Sequence, residues 1–217
     1  MTPAPAVGVL DYGSGNLHSV CQALANLGAR VVVSSRWPQL KVCDGLVLPG
    51  VGAFAACLAG LQACDGPATV ANFVAAGRPL LGICVGHQVL FDEGLEHGRK
   101  TAGLGLLPGV VEQLPLRRLP HMGWDTVEPP ASSAMFEGVR GDYFYFCHSY
   151  AVREMPSGWP TDGPGAAWCA QDGGRFVAAV EAGPIWSTQF HPEKSGAAGA
   201  RLLANWLARV ARFAGAG

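Results

Sequence analysis

Residues 80–91 read LLGICVGHQVLF: an apolar run, then Cys84 with a glycine two positions to either side, then an amphipathic run opened by His87 and Gln88. A strand over 80–83 that must turn at once into a helix near Gly86 projects its apex side chain from the sheet edge. The flanking positions must be small so that the backbone can fold back, which is the logic of the G-x-S-x-G nucleophile elbow with cysteine for serine. A thiol at such an apex faces the positive end of a helix, which favours thiolate. The Val85 amide beside it can donate to a developing oxyanion. Read alone, Cys84 could equally be one more small buried thiol, as free cysteines usually are. A base decides between the two.

Six histidines are candidates: His18, His87, His97, His121, His148 and His191. His191 closes the strand-like IWSTQF and is followed by Pro192 and Glu193. Residues two apart in an extended segment share a side, and Pro192 keeps the segment extended. Glu193 can then accept from one imidazole nitrogen while the other faces the thiol. A His-Pro dipeptide often simply ends a strand, so HPE is a weak signal by itself. His87 could reach Cys84 from three residues along the helix, but no carboxylate stands ready to orient it.

Bringing these residues together requires a sheet. Residues 7–11, 30–35, 45–50 and 79–83 are short apolar runs closed by Gly, Pro or polar residues, and read as buried strands. Residues 17–27 show helical spacing, with Val20, Leu24 and Leu27 on one face and Asn16 as N-cap, and 54–64 and 68–76 read as further helices. Such alternation predicts right-handed βαβ units and a parallel sheet covered on both faces. The second half changes texture: GVVEQLP, YFYFCHSYAV, AAWCAQ, RFVAAVE and IWSTQF are strand-like, QDGGRF is a hairpin turn, and an amphipathic helix over 197–213 closes the chain. The expectation is one domain over 1–217, an α/β fold with a mostly parallel open sheet, flanking helices and additional antiparallel strands in the C-terminal half.

Composition narrows the partners. With 49% hydrophobic and 14% charged residues and a net charge of −1, the 217-residue chain is globular. No Lys/Arg block points to nucleic acid or an anionic membrane, and no signal peptide or transmembrane run is seen. Seven cysteines, an odd number scattered through apolar segments, read as reduced thiols of a cytoplasmic protein. There is no C-x-x-C pair, and Cys147–His148 lacks a second ligand pair, so neither a metal nor a cofactor is expected. Gly13-Ser14-Gly15 lacks the third glycine of a dinucleotide loop.

Taken together, G-x-C-x-G-x-Q at residues 82–88 and His191-Pro192-Glu193 resemble the class I, triad-type glutamine amidotransferases. The resemblance narrows further. DYGSGNL (11–17), LPGVGAF (48–54), HMGW (121–124), YFCHSY (145–150) and QFHPEKS (189–195) look like the glutaminase subunit family of imidazole glycerol phosphate synthase, in that family's order along nearly the whole chain. That family hydrolyses glutamine to glutamate and ammonia, and passes the ammonia to a (β/α)8-barrel cyclase in a heterodimer that serves histidine biosynthesis. The resemblance implies that Cys84 is the nucleophile, His191 the base and then the acid, and Glu193 its orienting carboxylate. It implies an oxyanion strand at Gly50, Val51 and Gly52 complementing the Val85 amide. Gln88, Glu96, His148, Ser149 and Tyr150 fall at glutamine-binding positions. His121, Met122, Trp124, Asp125 and Lys194 fall at the partner interface, with the HMGW stretch in a loop-like setting.

The departures from the family pattern are small. Val85 stands where Leu is common, His87 where Met is frequent and able to titrate near the site, Asp125 where Asn is common, and Cys147 where Val is frequent. Competing readings are another triad glutaminase such as that of pyridoxal phosphate synthase, whose oxyanion loop would read like PGGES, a non-catalytic binding module, or a cysteine hydrolase of another amide.

Overall fold

The computed structural model describes residues 4–157, 159, 163–171 and 174–215. The first half alternates as the periodicity predicts: β1 (Ala6–Leu10), α1 (Leu17–Asn26), β2 (Arg30–Ser34), α2 (Trp37–Leu40), β3 (Gly45–Gly50), α3 (Phe54–Ala63), α4 (Gly66–Ala75), β4 (Leu80–Cys84) and α5 (Val85–Gln88). Nine strands follow, β5 (Phe91–Glu96), β6 (Arg99–Ala102), β7 (Leu107–Gln113), β8 (His121–Thr126), β9 (Tyr143–His148), β10 (Tyr150–Val152), β11 (Gly165–Gln171), β12 (Gly174–Ala182) and β13 (Ile185–Thr188). The chain ends in α6 (Gly196–Ala214).

The main sheet runs β11-β12-β13-β4-β3-β1-β2. Its β13-β4-β3-β1-β2 portion is parallel throughout, and β12 and β11 add on antiparallel. β1, β3 and β4 are buried along their whole length because helices cover both faces. On one side α6 seals the sheet with Leu202, Leu203, Trp206 and Val210, spaced three and four apart and almost wholly buried. The last strand, β13, is inserted beside β4, so the chain's end returns to the strand that carries Cys84.

The antiparallel strands expected in the C-terminal half are present and Asn16 holds the N-cap position, while the details differ from expectation. The additional antiparallel strands do not form one extension: only β11 and β12 join the main sheet, whereas β10-β7-β5-β6 and β8-β9 form separate sheets. The run after Cys84 is one helical turn, α5, and Phe91 already starts a strand that pairs with Leu107 on β7. β-rich Val89-Leu90-Phe91 leads the chain away, and Gly103 lets the backbone pass under the Phe91 carbonyl, where a Cβ would sit 2.0 Å from the oxygen. HMGW is strand, not loop: all six residues of β8 pair with β9. Asn16 precedes α1 without a side-chain cap bond. The turn residues of QDGGRF, Asp172 and Gly173, lie outside the described residues, but Gln171 pairs with Gly174 across it. Among the described residues no helix is long and apolar enough to cross a membrane.

Both glycines of the elbow are required by space. A Cβ on Gly86 would lie 1.9 Å from the Leu48 carbonyl oxygen, and one on Gly82 would lie 2.9 Å from the Gly86 carbonyl oxygen. Gly86→Ala must push β3 and α5 apart. It is expected to cost at least ~2 kcal/mol of unfolding free energy, read as a lower urea midpoint; an unchanged midpoint would refute this packing account.

Candidate active site

Cys84 ends β4 with φ 55 and ψ −112, a conformation that a non-glycine residue adopts only under constraint. The constraint is the parallel pairing on both sides: Gly50 of β3 faces Cys84, and Thr188 of β13 faces Ile83. The turn lifts the thiol off the sheet at the C-terminal edge of β4. Because β13 is parallel to β4, the residues after Thr188 emerge at the same edge, and His191 arrives beside Cys84. This explains how one local motif meets another a hundred residues on.

His191 Nδ1 lies 2.8 Å from Glu193 Oε1, and both side chains are buried. The other ring nitrogen is left for Cys84, which lies near enough to favour the charged imidazole. Burial lowers the imidazole's basicity, but the hydrogen bonds and charges of Cys84 and Glu193 outweigh it and raise its pKa to about 9. The ring can therefore take and hold the proton of the thiol. The conformation behind this differs from the expected one: β13 ends at Thr188, and Pro192–Lys194 form a 3-10 turn, with only His191 itself extended. The turn, and not an extended strand, carries Glu193 back onto the imidazole. The Ser195 hydroxyl donates to the His191 carbonyl at 2.6 Å and accepts the Tyr145 amide at 3.0 Å, tying the turn to β9.

A cavity of about 230 Å³ opens onto these groups. Val51, Gly52, Val85, Gln88, Glu96, His148, Ser149 and Tyr150 line it with Cys84 and His191, as do Tyr145, Cys147 and Lys194. Of the oxyanion and glutamine positions expected, Gly50 alone stands back. It packs under the elbow, where a Cβ would come within 2.4 Å of the Gly86 nitrogen. Gln88 is buried and spends its amide on the Tyr150 carbonyl (2.8 Å) and on Gln189 Oε1 (2.9 Å). Glu96 accepts the Phe54 amide at 2.9 Å, fixing the start of α3 against the cavity wall. His148 donates from Nδ1 to the Tyr150 carbonyl, and burial lowers its pKa to about 3.

Gln189 escaped the sequence reading. Its amide nitrogen lies 3.8 Å from Cys84 Sγ, within the looser range of a hydrogen bond to sulfur, while its oxygen is held by Gln88. The signal was its place two residues before His191, at the end of the strand-like IWSTQF. Among the described residues, no group of three or more His, Cys, Asp and Glu could hold a metal ion.

His87 corrects the expectation that it could titrate near the site. It is wholly buried, bonded through Nδ1 to Ser187 Oγ at 2.7 Å, and burial lowers its pKa to about 3. It stays neutral across the working range and ties α5 to β13. Of the residues expected at a partner surface, Met122 and Trp124 are 61% and 55% exposed, and Lys194 is exposed at the cavity mouth. His121 is buried, and Asp125 turns inward toward it at 3.5 Å.

The Val51 peptide is tied back. The Ser14 hydroxyl donates to the Val51 carbonyl at 2.7 Å and accepts the Val51 N–H at 3.2 Å, and the Cys57 thiol donates to the same carbonyl at 3.3 Å. The Val85 N–H, at the first position of α5, has no acceptor within the helix. The site thus combines a thiol, its base and an orienting carboxylate with one amide free for a developing oxyanion and a second one occupied.

This fold and site define a class. The family model described as "Glutamine amidotransferase class-I" matches residues 8–210, and the chain belongs to that family. A solved glutamine amidotransferase superposes with a TM-score of 0.72 at 21% identity, covering 95% of this chain and 98% of that one, which fixes the fold. Within the class the relatives are specific. The chain is 54% identical over 204 residues to imidazole glycerol phosphate synthase subunit HisH of Corynebacterium glutamicum, covering 93% of this chain and 97% of that protein. To the same subunit of Thermobifida fusca it is 54% identical over 209 residues, covering 95% and 99%. The chain is a glutamine amidotransferase of the HisH family, the glutaminase subunit of imidazole glycerol phosphate synthase.

The histidines separate by pH. His191 keeps its proton until pH rises through about 9, as a general acid toward a leaving nitrogen would need. Turnover on glutamine is expected to fall above that pH, and His191→Asn to lose several orders of magnitude. His87→Met should keep the same alkaline limb with mild loss, because His87 is already neutral. A pH–rate profile of the two variants checks this, and a dead His87→Met with an active His191→Asn would reverse the roles.

Proposed function

We propose that the chain releases ammonia from glutamine through Cys84, His191 and Glu193, and hands it to a barrel-type cyclase partner. That partner makes imidazole glycerol phosphate and an aminoimidazole carboxamide ribotide in histidine biosynthesis. The observation that carries the reading is the common edge of β4 and β13, where the thiol, its base and the base's carboxylate meet over one cavity.

The steps follow from the groups present. His191 removes the thiol proton, and Cys84 Sγ attacks the side-chain amide carbon of glutamine. The oxygen of the tetrahedral adduct takes the negative charge, facing the Val85 amide. His191 returns the proton to nitrogen, the C–N bond breaks, and ammonia leaves a glutamyl thioester. Water then attacks the thioester carbon while His191 takes its proton, and the Cys84 sulfur departs and is reprotonated, giving glutamate. Glu193 holds the ring through Nδ1 and stabilises its charged form in both halves.

Ammonia has value only beside its acceptor, since in bulk water near neutral pH it is mostly protonated. Met122 and Trp124 stand on the outer face of the β8–β9 ribbon, opposite Cys147 and Tyr145, and those two line the cavity. An apolar patch contiguous with the mouth of the site is suited to receive the partner as a heterodimer. Free thiols at all seven cysteines suit a reducing cytoplasm.

Control lies in the Val51 peptide. Tied to the Ser14 hydroxyl, the Val51 N–H is withheld from the oxyanion, while Ser14 and Cys57 hold the carbonyl that follows; rotated, the N–H would supply a second donor worth ~3 kcal/mol, on the order of a hundredfold in rate. Gly52, at φ 88, provides the hinge. The isolated chain is therefore a weak glutaminase that partner and ribotide ligand stimulate.

The test of the assignment is Cys84→Ala with the cyclase. Glutamine-dependent synthesis should vanish while synthesis from added ammonium salts persists; retained glutamine-dependent activity would sink it. Ser14→Ala tests the control. Freed of the hydroxyl, the Val51 peptide should raise partner-free glutamate release roughly tenfold, one hydrogen bond's worth, and narrow the stimulation by the partner. An unchanged ratio would place the restraint elsewhere.

A further inference from the structure

β8 separates two environments: Met122 and Trp124 face outward, while His121 and Asp125 face inward, toward β9 and β11. Across the ribbon His121 pairs with His148. The hydrogen bonds there can be assigned one by one. The Tyr150 carbonyl can only accept, so His148 carries its proton on Nδ1, 2.9 Å away. Burial keeps His148 neutral, and its Nε2 is therefore a bare acceptor. His121 Nδ1 lies 3.3 Å from that Nε2 and must be the donor. The other nitrogen of His121, Nε2, lies 3.5 Å from Asp125 Oδ2, again an acceptor. With an acceptor in hydrogen-bond reach of Nδ1 and a carboxylate in ion-pair contact with Nε2, the ring is matched to both as an imidazolium.

The surroundings support the charge from one side and oppose it from the other. Asp125 also accepts the Thr126 amide at 2.8 Å and faces the thiol of Cys169 on β11, behind which lies Glu128. His121 is stacked on Phe146 and edge-on to Phe176 of β12. Arg117 and Arg118, on the segment before β8, line a cleft with His121 and work against its protonation. His148 in turn feels His191 across the cavity. The Asp125 carboxylate is the counter-charge in contact with the ring.

We propose that His121 is a positioning residue for the glutamine site: held cationic by Asp125, it locks His148 and with it the 148–150 backbone that lines the cavity. The inference rests on the reading of that cavity as the glutamine site. The strand that presents Met122 and Trp124 to the partner thereby presents His121 to the substrate wall, and glutamine affinity answers to both. The chain of contacts also gives a sign. When pH rises and the ring loses one proton, the carboxylate, the stronger acceptor, keeps the remaining one on Nε2. Nδ1 then meets His148 Nε2 lone pair to lone pair, the link opens, and glutamine binds less well. The link is present at low pH and lost as pH rises through the His121 titration.

Two measurements test this. In full-length protein with ¹⁵N-labelled histidine, ring-nitrogen NMR at about pH 7 should show both nitrogens of His121 protonated and His148 protonated on Nδ1 alone. A neutral His121 would overturn the proposal without any assay of activity. With the partner present, His121→Ala should raise the glutamine KM about tenfold with kcat within about twofold. His121→Asn, whose amide nitrogen reaches the Nδ1 position, should recover most of that loss. Asp125→Asn should leave a neutral ring bonded to His148 and a KM independent of pH where the wild type's rises. A His121→Ala protein that melts earlier but keeps its KM would show a structural role only, against the proposal. A wild type that binds no glutamine would instead fail the reading of the cavity, leaving the NMR result to stand on its own.

Discussion

β4 has a parallel neighbour on each side, and the site depends on that single arrangement. β3 and β13 run in the same direction as β4, so three strands deliver their C-terminal ends to one edge, held in register by Gly50 opposite Cys84 and Thr188 opposite Ile83. The first end supplies the Val51 segment, the second the thiol, the third the base. Open α/β sheets collect ligands at such edges because helices cover the faces and leave the strand ends uncovered. The positive φ of Cys84, worth about 1–3 kcal/mol of strain, persists because Gly82, Gly86 and Leu48 leave the backbone no other path.

Burial acts on the histidines of this edge alike, and their partners decide the outcome. His87 bonds a serine hydroxyl and His148 a carbonyl, neither of them a counter-charge; burial pulls both to about 3, and His121 and His191 press His148 the same way. His191 is buried too, yet Cys84 and Glu193 raise it to about 9. Desolvation penalises a charge only until a buried counter-charge is in contact. The cavity thus sets one imidazole able to carry a proton beside Cys84, with His87 and His148 too weakly basic to compete for it.

The residues that meet at the candidate site were legible in the sequence because their signals are local. Gly82 and Gly86 around Cys84, and Glu193 two residues past His191, state a turn and a hydrogen bond within a few positions. The alternating first half was equally readable from its apolar periods. What stayed hidden depends on partners distant in the chain. Nothing near Phe91 says that its strand will pair with Leu107 and not continue α5, and nothing in HMGW says that it will find YFYFCH as a ribbon. Pro192 was taken to hold an extended segment, but a proline also starts a 3-10 turn well, and the turn is what the packing of Ser195 against Tyr145 selects. Gln189, the tie of Ser14 to Val51, and the facing of His121 and His148 all need the sheet first.

Pre-organisation and restraint divide the edge between them. The triad side is rigid: the elbow has no free dihedral, and the His191 turn is bonded at both ends. The oxyanion side rests on three hydrogen bonds from small side chains around Val51, one to the Gly50–Val51 peptide and two to the Val51–Gly52 peptide, each worth ~1 kcal/mol net. One of them involves a thiol, a weak donor. In the proposed control, rotating the Gly50–Val51 peptide gives up the Ser14 bond to its N–H and disturbs the two to the following carbonyl, in exchange for a donor worth ~3 kcal/mol to the transition state but little to the resting enzyme. A partner that stabilises the rotated form by only about 3 kcal/mol would therefore move its population roughly a hundredfold. Had the restraint been placed on the triad, the partner would have had to rebuild buried, charged contacts costing several kcal/mol apiece. On the proposed reading, restraint at the peptide leaves the reacting groups assembled and makes ammonia release depend on an element that is cheap to move.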